Sequence, residues 1–225
     1  MNPYLSAFLS LFYPPTCAVC DEALVTGEEC ICTRCLYNLP YYHASLADLE
    51  LKFADECRIG PMHALLHYHR ESPYRELVRD IKYRENKRLA IYLGKLFGEK
   101  LKGKVAADMI IPLPLHPRRQ RARGFNQSTR IARGIASVMQ LPVREGLIRR
   151  VINNPTQTKL NPAERAMNAT GLFAVTNPGA LEGKHILLVD DVVTTGATIA
   201  SCLKELGPIP GIRVSVVCLA RAGLP

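Results

Sequence analysis

The stretch of residues 185–200 holds two adjacent acids followed by a run of small residues. Asp190 and Asp191 repel one another when ionised, so the pair costs stability unless a ligand uses it. Carboxylates accept hydrogen bonds only, and the two hydroxyls of a ribose ring can donate them. The small residues that follow are Thr194, Thr195, Gly196, Ala197 and Thr198.

These small residues are expected to open a helix that follows a tight turn. Backbone N–H groups and hydroxyls at the positive end of a helix can surround a phosphate. Gly196 permits a close backbone approach and an unusual φ angle. The acids and the small residues lie a few positions apart, which matches the distance from a ribose ring to its 5′-phosphate. We therefore predict a site for a ribose 5-phosphate group.

The acids follow an apolar strand, residues 184–189, and ligands of open α/β sheets bind at the carboxyl ends of such strands. Further strands are predicted over residues 62–69, 108–113 and 213–220. Helices are predicted from Ser72 and Pro73, over residues 89–101, and after the capping residue Asn126. This alternation favours an α/β fold, a parallel sheet with helices on both faces.

Two segments contain polar residues that invite other interpretations. His63, His67 and His69 share one face of the strand at residues 62–69. This pattern indicates either a metal site or an exposed strand face, and we favour the exposed face. Residues 149–168 are polar without a clear period, which predicts a long loop. The apolar residues 4–13 predict an N-terminal helix that packs on the body, because no signal-peptide pattern is present.

Six of the eight cysteines fall in the first 57 residues. Two C-x-x-C pairs separated by 11 residues consist of Cys17, Cys20, Cys32 and Cys35. Each pair places two thiolates on one side of a tight turn, and two pairs complete a tetrahedral zinc site. Disulfides and a redox role are weaker explanations. Cys30 is a further thiol near the second pair, and the sequence does not decide whether Cys30 or Cys32 is the zinc ligand.

The formal net charge of +9 gives information about the binding partners of the protein and not about its fold. Residues 118–150 contain nine arginines and a single acid, Glu145. This concentration suits phosphates on a small molecule or along a nucleic acid, or forms a solubilising surface. No apolar run approaches the roughly 20 residues needed to cross a bilayer, so we expect no membrane span and a cytoplasmic protein.

The motif Val189-Asp-Asp-Val-Val-Thr-Thr-Gly-Ala-Thr198 resembles the signature of type I phosphoribosyltransferases, which bind 5-phosphoribosyl-1-pyrophosphate (PRPP). Upstream, Ile111-Pro-Leu-Pro-Leu-His-Pro-Arg118 and Arg123-Gly-Phe-Asn-Gln-Ser128 are similar to the ComF family of phosphoribosyltransferase-like competence proteins. The resemblance covers the chain from about Tyr13 onward. Other residues that fit the family are Ile81-Lys-Tyr83, the two cysteine pairs, Gln157, Arg165 and Asn168.

The resemblance implies an N-terminal helix and zinc module in residues 1–45 and a type I phosphoribosyltransferase domain in residues 60–225, with a homodimer also suggested. PRPP would bind with Mg²⁺, its ribose hydroxyls on Asp190 and Asp191 and its 5′-phosphate on residues 194–198. Residues 115–119 would occupy the pyrophosphate-loop position. The candidate catalytic residues beside the departing pyrophosphate are Arg118, Arg119 and Arg123.

Two functional hypotheses follow from these observations. As an enzyme, the protein would transfer the phosphoribosyl group of PRPP to an unidentified nitrogen acceptor, and His116 is then a candidate base, although a loop histidine without a special role is preferred. As a binding protein, it would sense PRPP and bind single-stranded DNA during DNA uptake, with the arginines contacting the phosphate backbone. The absence of tryptophan makes a stacking platform for bases less obvious.

Overall fold

The computed structural model describes residues 14–152 and 171–222. The helices are α1 Thr33–Tyr37, α2 Ala47–Phe53, α3 Arg75–Tyr83, α4 Lys87–Leu101, α5 Pro117–Arg123, α6 Gln127–Met139 and α7 Ala197–Leu206. The strands are β1 Ile59–Tyr68, β2 Met109–Pro112, β3 Ile148–Arg150, β4 Phe173–Val175, β5 His185–Val193 and β6 Arg213–Ala222. None of these helices is long and apolar enough to cross a membrane.

Four strands form a parallel sheet in the order β1-β6-β5-β2, and β3 pairs with β4 in a separate antiparallel ribbon. Alternate residues of β5 face opposite sides of the sheet, as a strand requires. Leu187 and Val189 pack with α3, α4, α6 and the cysteine segment. Ile186 and Leu188 pack with α2 and α7. The predicted fold class, a parallel sheet flanked by helices on both faces, is confirmed.

The site depends on the carboxyl ends of β5 and β2, which lie side by side because the two strands are parallel and adjacent. After β2 the chain enters α5 and α6, and after β5 it turns into α7. The N-terminal ends of these helices therefore meet at one edge of the sheet. Asn126 caps α6, as predicted, because its Oδ1 accepts from the Ser128 N–H at 3.1 Å.

Several predicted boundaries are wrong. Helix α3 begins at Arg75, because Ser72 and Pro73 lie in a turn where Ser72 Oγ accepts from the Tyr74 N–H. Arg149 and Arg150 belong to β3 and not to a loop. The proposed helix over residues 4–13 and residues 153–168 of the predicted loop lie outside the described residues.

The histidine face of β1 is also less exposed than predicted. Leu65 is buried, and His63 and His67 are half-buried, because the Tyr42 N–H pairs with the Leu65 carbonyl along this edge of the sheet. Within the described residues, the only grouping of side chains suited to a metal ion is a set of cysteines. The metal hypothesis for His63, His67 and His69 thus gains no support.

Candidate functional site

The acid pair lies within strand β5 and not in the turn after it. β5 continues to Val193 because β6 pairs with it along the whole segment, with Asp190 opposite Cys218 and Val193 opposite Arg221. Both carboxyl groups are half-buried. Each accepts a hydrogen bond from the backbone N–H of the next residue, at 2.8 Å for Asp190 and 2.6 Å for Asp191. Because successive residues of a strand face opposite sides of the sheet, Asp190 lies on the face of the 194–198 loop and Asp191 on the face of Lys82.

Two cations from distant parts of the chain approach these carboxylates. Lys82 Nζ, near the end of α3, lies 3.2 Å from Asp191 Oδ2, and both side chains are more than three-quarters covered. Burial, and then the charge of Asp191, raise the pKa of Asp190 to about 7, although Lys82 and Arg150 lower it. Near pH 7, Asp190 is therefore protonated in a part of the molecules, and donors such as ribose hydroxyls could displace this proton.

The loop of residues 194–198 lies between the acids and α7. Gly196 has a φ of +77° and is the residue that precedes the helix, so a side chain here would strain the backbone. A small cavity of about 40 Å³ lies between Asp190 and this loop, lined also by the backbone and side chains of Thr194, Thr195, Ala197 and Thr198. The cavity thus brings together six of the seven residues predicted for the ribose 5-phosphate group, and Asp191, the seventh, is adjacent in β5 and pairs with Lys82.

All four arginines of residues 115–123 lie on helix α5, which differs from the predicted loop. His116 caps α5, because its Nδ1 accepts from the Arg118 N–H at 3.3 Å. This cap is a structural role that the sequence did not predict for His116. Arg118 is exposed, whereas Arg119 and Arg123 are half-buried.

Arg150 joins these arginines to the acid pair. Burial, and then repulsion from Arg119, lower the pKa of Arg150, while the charge of Asp190 raises it. Burial, and then repulsion from Arg123, lower the pKa of Arg119. Cations that crowd together in this way cost energy without a counter-charge. The arrangement is suited to an anion that carries several negative charges.

A cavity of about 210 Å³ lies beside the arginines, between the start of α5, the start of α6 and β3. Leu115, Gln120, Thr129, Arg149 and Arg150 contribute to its walls. Its walls combine apolar side chains with a few polar and charged ones, as in sites for small organic molecules. It lies at the edge of the sheet where the predicted pyrophosphate and acceptor would have to meet.

Sequence reasoning gave no role to two of these cations. In the sequence, Lys82 stands out only as part of a family motif, and the helical pattern of α3 depends on its apolar residues. The polar run from Arg149 predicts a loop that includes Arg150. No local pattern distinguishes either cation, because the residue after the buried Ile81 lies about 100° further around the helix.

The four cysteines predicted as metal ligands form a compact group. The Sγ atoms of Cys17, Cys20, Cys32 and Cys35 lie within 4.8 Å of one another, and those of Cys20 and Cys32 are 3.8 Å apart. Four ligands at the zinc–sulfur distance of about 2.3 Å would be spaced about 3.8 Å apart on a tetrahedron. Cys30 is not part of the group. The cluster could hold a metal ion and is compatible with zinc.

Hydrogen bonds within the cysteine segment favour the metal-binding form of one thiol. Burial raises the pKa of Cys17, but N–H groups of Cys32, Cys20 and Val19 outweigh it and lower that pKa to about 7. The Cys32 N–H lies 3.3 Å from Cys17 Sγ. A thiol whose anion is stabilised in this way is ready to bind a cation. The donor set and its hydrogen bonds therefore fit a tetrahedral metal ion.

Comparison with known proteins gives the chain its family. Residues 126–225 match the model of the phosphoribosyl transferase domain. The DNA utilization protein YhgH of Salmonella typhimurium is 30% identical over 222 residues, which cover 95% of this chain and 93% of that protein. Competence protein ComFC of Bacillus subtilis is 39% identical over 102 residues, 44% of this chain and 39% of that protein.

Two further similarities concern shorter parts of the chain. Competence protein F of Haemophilus influenzae is 31% identical over 116 residues, 51% of each chain. The solved purine phosphoribosyltransferase of Pyrococcus horikoshii is 20% identical with a TM-score of 0.36, and the match covers 59% of this chain and 71% of that one. Because the YhgH similarity extends over nearly the whole chain and the others include two competence proteins, the chain belongs to the ComF family of type I phosphoribosyltransferase-like proteins.

Proposed function

We propose that this protein binds PRPP with Mg²⁺ at the carboxyl edge of β5 and transfers its phosphoribosyl group to a nitrogen acceptor. The observation that carries the proposal is the acid pair, Asp190 and Asp191, which lies beside the 194–198 loop and has Lys82 at 3.2 Å. Such a pair costs stability in the free protein, and a diol beside a phosphate is the ligand that would use both features.

Each part of PRPP has a matching group of residues. The ribose hydroxyls donate to Asp190 and Asp191, and the 194–198 loop surrounds the 5′-phosphate. The pyrophosphate lies toward α5 and β3, where Arg118, Arg119, Arg123 and Arg150 offer cationic groups. Together these contacts span the ligand from its phosphate to its leaving group.

In the reaction, the bond between ribose C1 and the pyrophosphate oxygen breaks as a bond from C1 to the acceptor nitrogen forms. The nitrogen then loses a proton to solvent, and the arginines stabilise the charge that develops on pyrophosphate. Mg²⁺, when bound with PRPP, neutralises further phosphate charge. The cavity of about 210 Å³ beside Arg150 is where we expect the acceptor to bind.

We further propose that the metal held by Cys17, Cys20, Cys32 and Cys35 is zinc with a structural role. All four ligands come from the protein, which leaves no open position for catalysis. The division into residues 1–45 and residues 60–225 stays a prediction, as do a homodimer and a cytoplasmic location.

A second candidate function is the binding of single-stranded DNA, favoured by one specific observation. Tyr83 is 73% exposed, and the Arg123 guanidinium lies 5.8 Å from the centre of its ring. An exposed aromatic ring beside arginines can stack with a base while the cations contact phosphates. Relatives named for DNA utilization and competence agree with such a role.

The test is a calorimetric titration of PRPP and Mg²⁺ into the wild type and the double variant Asp190→Asn/Asp191→Asn. We expect the wild type to bind and the variant to lose binding. The control is Asp55→Asn/Glu56→Gln, an adjacent acid pair away from the loop, which makes the same charge change and should leave affinity unaltered. No binding by folded wild type, or equal binding by the variant, would contradict the proposal.

If PRPP binds, pyrophosphate release with added bases and amines distinguishes the enzyme from a sensor. Release that requires an acceptor supports transfer, and binding without release from any acceptor supports sensing. For DNA, Tyr83→Ala should weaken binding of an oligonucleotide while PRPP affinity stays unchanged. Unchanged oligonucleotide binding with a loss of PRPP affinity would contradict a stacking role of Tyr83.

A further inference from the structure

Helix α2 follows the cysteine segment and lies outside both predicted units of the chain, yet it is anchored firmly to the sheet. Leu49 and Phe53 are 3% and 0% exposed and belong to the apolar cluster around α7. The Glu50 carboxylate accepts from the Met62 N–H of β1 at 2.8 Å. A helix with two buried side chains and a bond to the sheet is a rigid element.

The side of α2 that faces α7 contacts the 194–198 loop. A Cβ on Gly196 would lie 2.6 Å from Phe53 Cζ and 3.4 Å from Leu49 Cδ2, so the ring and the loop backbone are in direct contact. Gly196 is thus required both for its positive φ and for the space that Phe53 occupies. The apolar part of α2 therefore fixes where the loop lies.

Two cations hold carbonyl groups of the same loop. Lys52 Nζ of α2 donates to the Thr195 carbonyl at 2.8 Å. The Arg221 guanidinium of β6 donates to the Thr194 carbonyl and lies 3.5 Å from the carboxylate of Asp48, also on α2. Arg221 is 6% exposed, whereas Lys52 is an exposed residue.

These bonds determine where the loop amides point. In a trans peptide the C=O and N–H of one unit lie on opposite sides. Holding the Thr194 and Thr195 carbonyls toward α2 and β6 therefore turns the N–H groups of Thr195 and Gly196 to the other side. Among hydrogen bonds between described residues, none is donated by either of these two amides. Free N–H groups held in this way are suited to phosphate oxygens.

We infer that α2 is a positioning element of the phosphate site, in which Lys52 and Arg221 orient the amides of the 194–198 loop toward the 5′-phosphate of the ligand. The inference rests on the proposed function and extends it, because it assigns a role to residues between the two predicted units. Lys52 and Arg221 act through the loop backbone and are positioning residues.

The experiment compares the full-length variants Lys52→Met and Lys52→Arg with Lys102→Met as a control. Lys102 is an exposed lysine beyond the end of α4, so its removal makes the same charge change away from the site. Calorimetry measures the affinities for PRPP, ribose 5-phosphate and pyrophosphate. Amide hydrogen exchange in the ligand-free protein measures the protection of residues 192–198 directly.

Lys52→Met should weaken PRPP and ribose 5-phosphate by about tenfold, as expected for one charge-assisted hydrogen bond, and leave pyrophosphate unchanged. Exchange of the hydrogen-bonded amides within residues 192–198 should become about fivefold faster. Lys52→Arg should restore both, because arginine can donate to the same carbonyl, and Lys102→Met should change neither.

The failure of this inference differs from the failure of the proposed function. PRPP binding by the wild type with equal affinity and equal loop exchange in Lys52→Met would overturn the positioning role alone. A uniform loss of affinity for all three ligands would also overturn it, because pyrophosphate does not use the loop. If the wild type binds no PRPP, the proposed function fails, and unchanged loop exchange in Lys52→Met would then reject the positioning role independently.

Discussion

Replacement of Asp190 by asparagine is expected to stabilise the ligand-free protein, and increasingly so as the pH rises. In the folded protein, burial first and Asp191 second raise the pKa of this carboxyl from 3.8 to about 7. In the unfolded chain the carboxyl keeps its ordinary pKa, so between the two values only the folded state binds the proton. The free energy of unfolding therefore falls as the pH rises through this window and levels off above about pH 7.

The size of the effect follows from the two pKa values. A carboxyl with these values would lower the free energy of unfolding by about 2 to 3 kcal/mol between about pH 5 and about pH 8. Asparagine has nearly the same shape and cannot ionise, so the Asp190→Asn variant escapes this loss. Its advantage over the wild type should grow by that amount across the same range.

Urea unfolding of the wild type and the variant at several pH values measures this difference, because titrating groups that do not interact with Asp190 cancel on subtraction. The control is Asp55→Asn, which replaces an exposed carboxyl. Its difference from the wild type gives the baseline for changing a carboxyl to an amide. If the Asp190→Asn difference does not grow with pH beyond this baseline, the carboxyl has an ordinary pKa and the reasoning from burial and Asp191 is refuted.

Four further outcomes are expected. PRPP affinity should rise between about pH 6 and about pH 8, because the ribose hydroxyls bind ionised carboxylates. Calorimetry in two buffers should detect the release of protons on binding, and the absence of proton release would contradict the raised pKa of Asp190. Lys82→Met should weaken PRPP about tenfold and Lys82→Arg less, and equal affinity for all three proteins would remove the lysine from the site. Metal analysis should find less zinc in Cys32→Ser and an unchanged amount in Cys30→Ser, whereas the reverse would show that Cys30 is the ligand in place of Cys32. Gly196→Ala should lower the melting temperature and abolish ribose 5-phosphate binding, since its φ is +77°; a variant with wild-type properties would show that the loop tolerates a side chain.

Much of the fold was predictable because most elements carry their own apolar pattern. The helix over residues 89–101 and the strand over residues 108–113 are confirmed to within two residues at each end, since each buries one face or both. The end of β5 was not predictable in this way. β6 supplies hydrogen bonds as far as Val193, and a partner strand leaves no mark in the sequence of its neighbour. The short strand β3 exists for the same reason, through its pairing with β4.

The sequence by itself determined the groups that lie close along the chain. Asp190 and Gly196 are six positions apart on one strand and turn. One cysteine pair is closed by a tight turn and the other by the first turn of α1, so the proximity within each pair needs little from the rest of the fold. Only the tertiary structure decided which distant cations join them. Lys52 lies 143 positions from the carbonyl that it binds, and Lys82 and Arg150 reach the acids from a helix and a strand of other layers. Contacts between residues so far apart in the sequence depend on strand order and helix packing. These arise from the burial of the whole apolar surface and not from any local spacing.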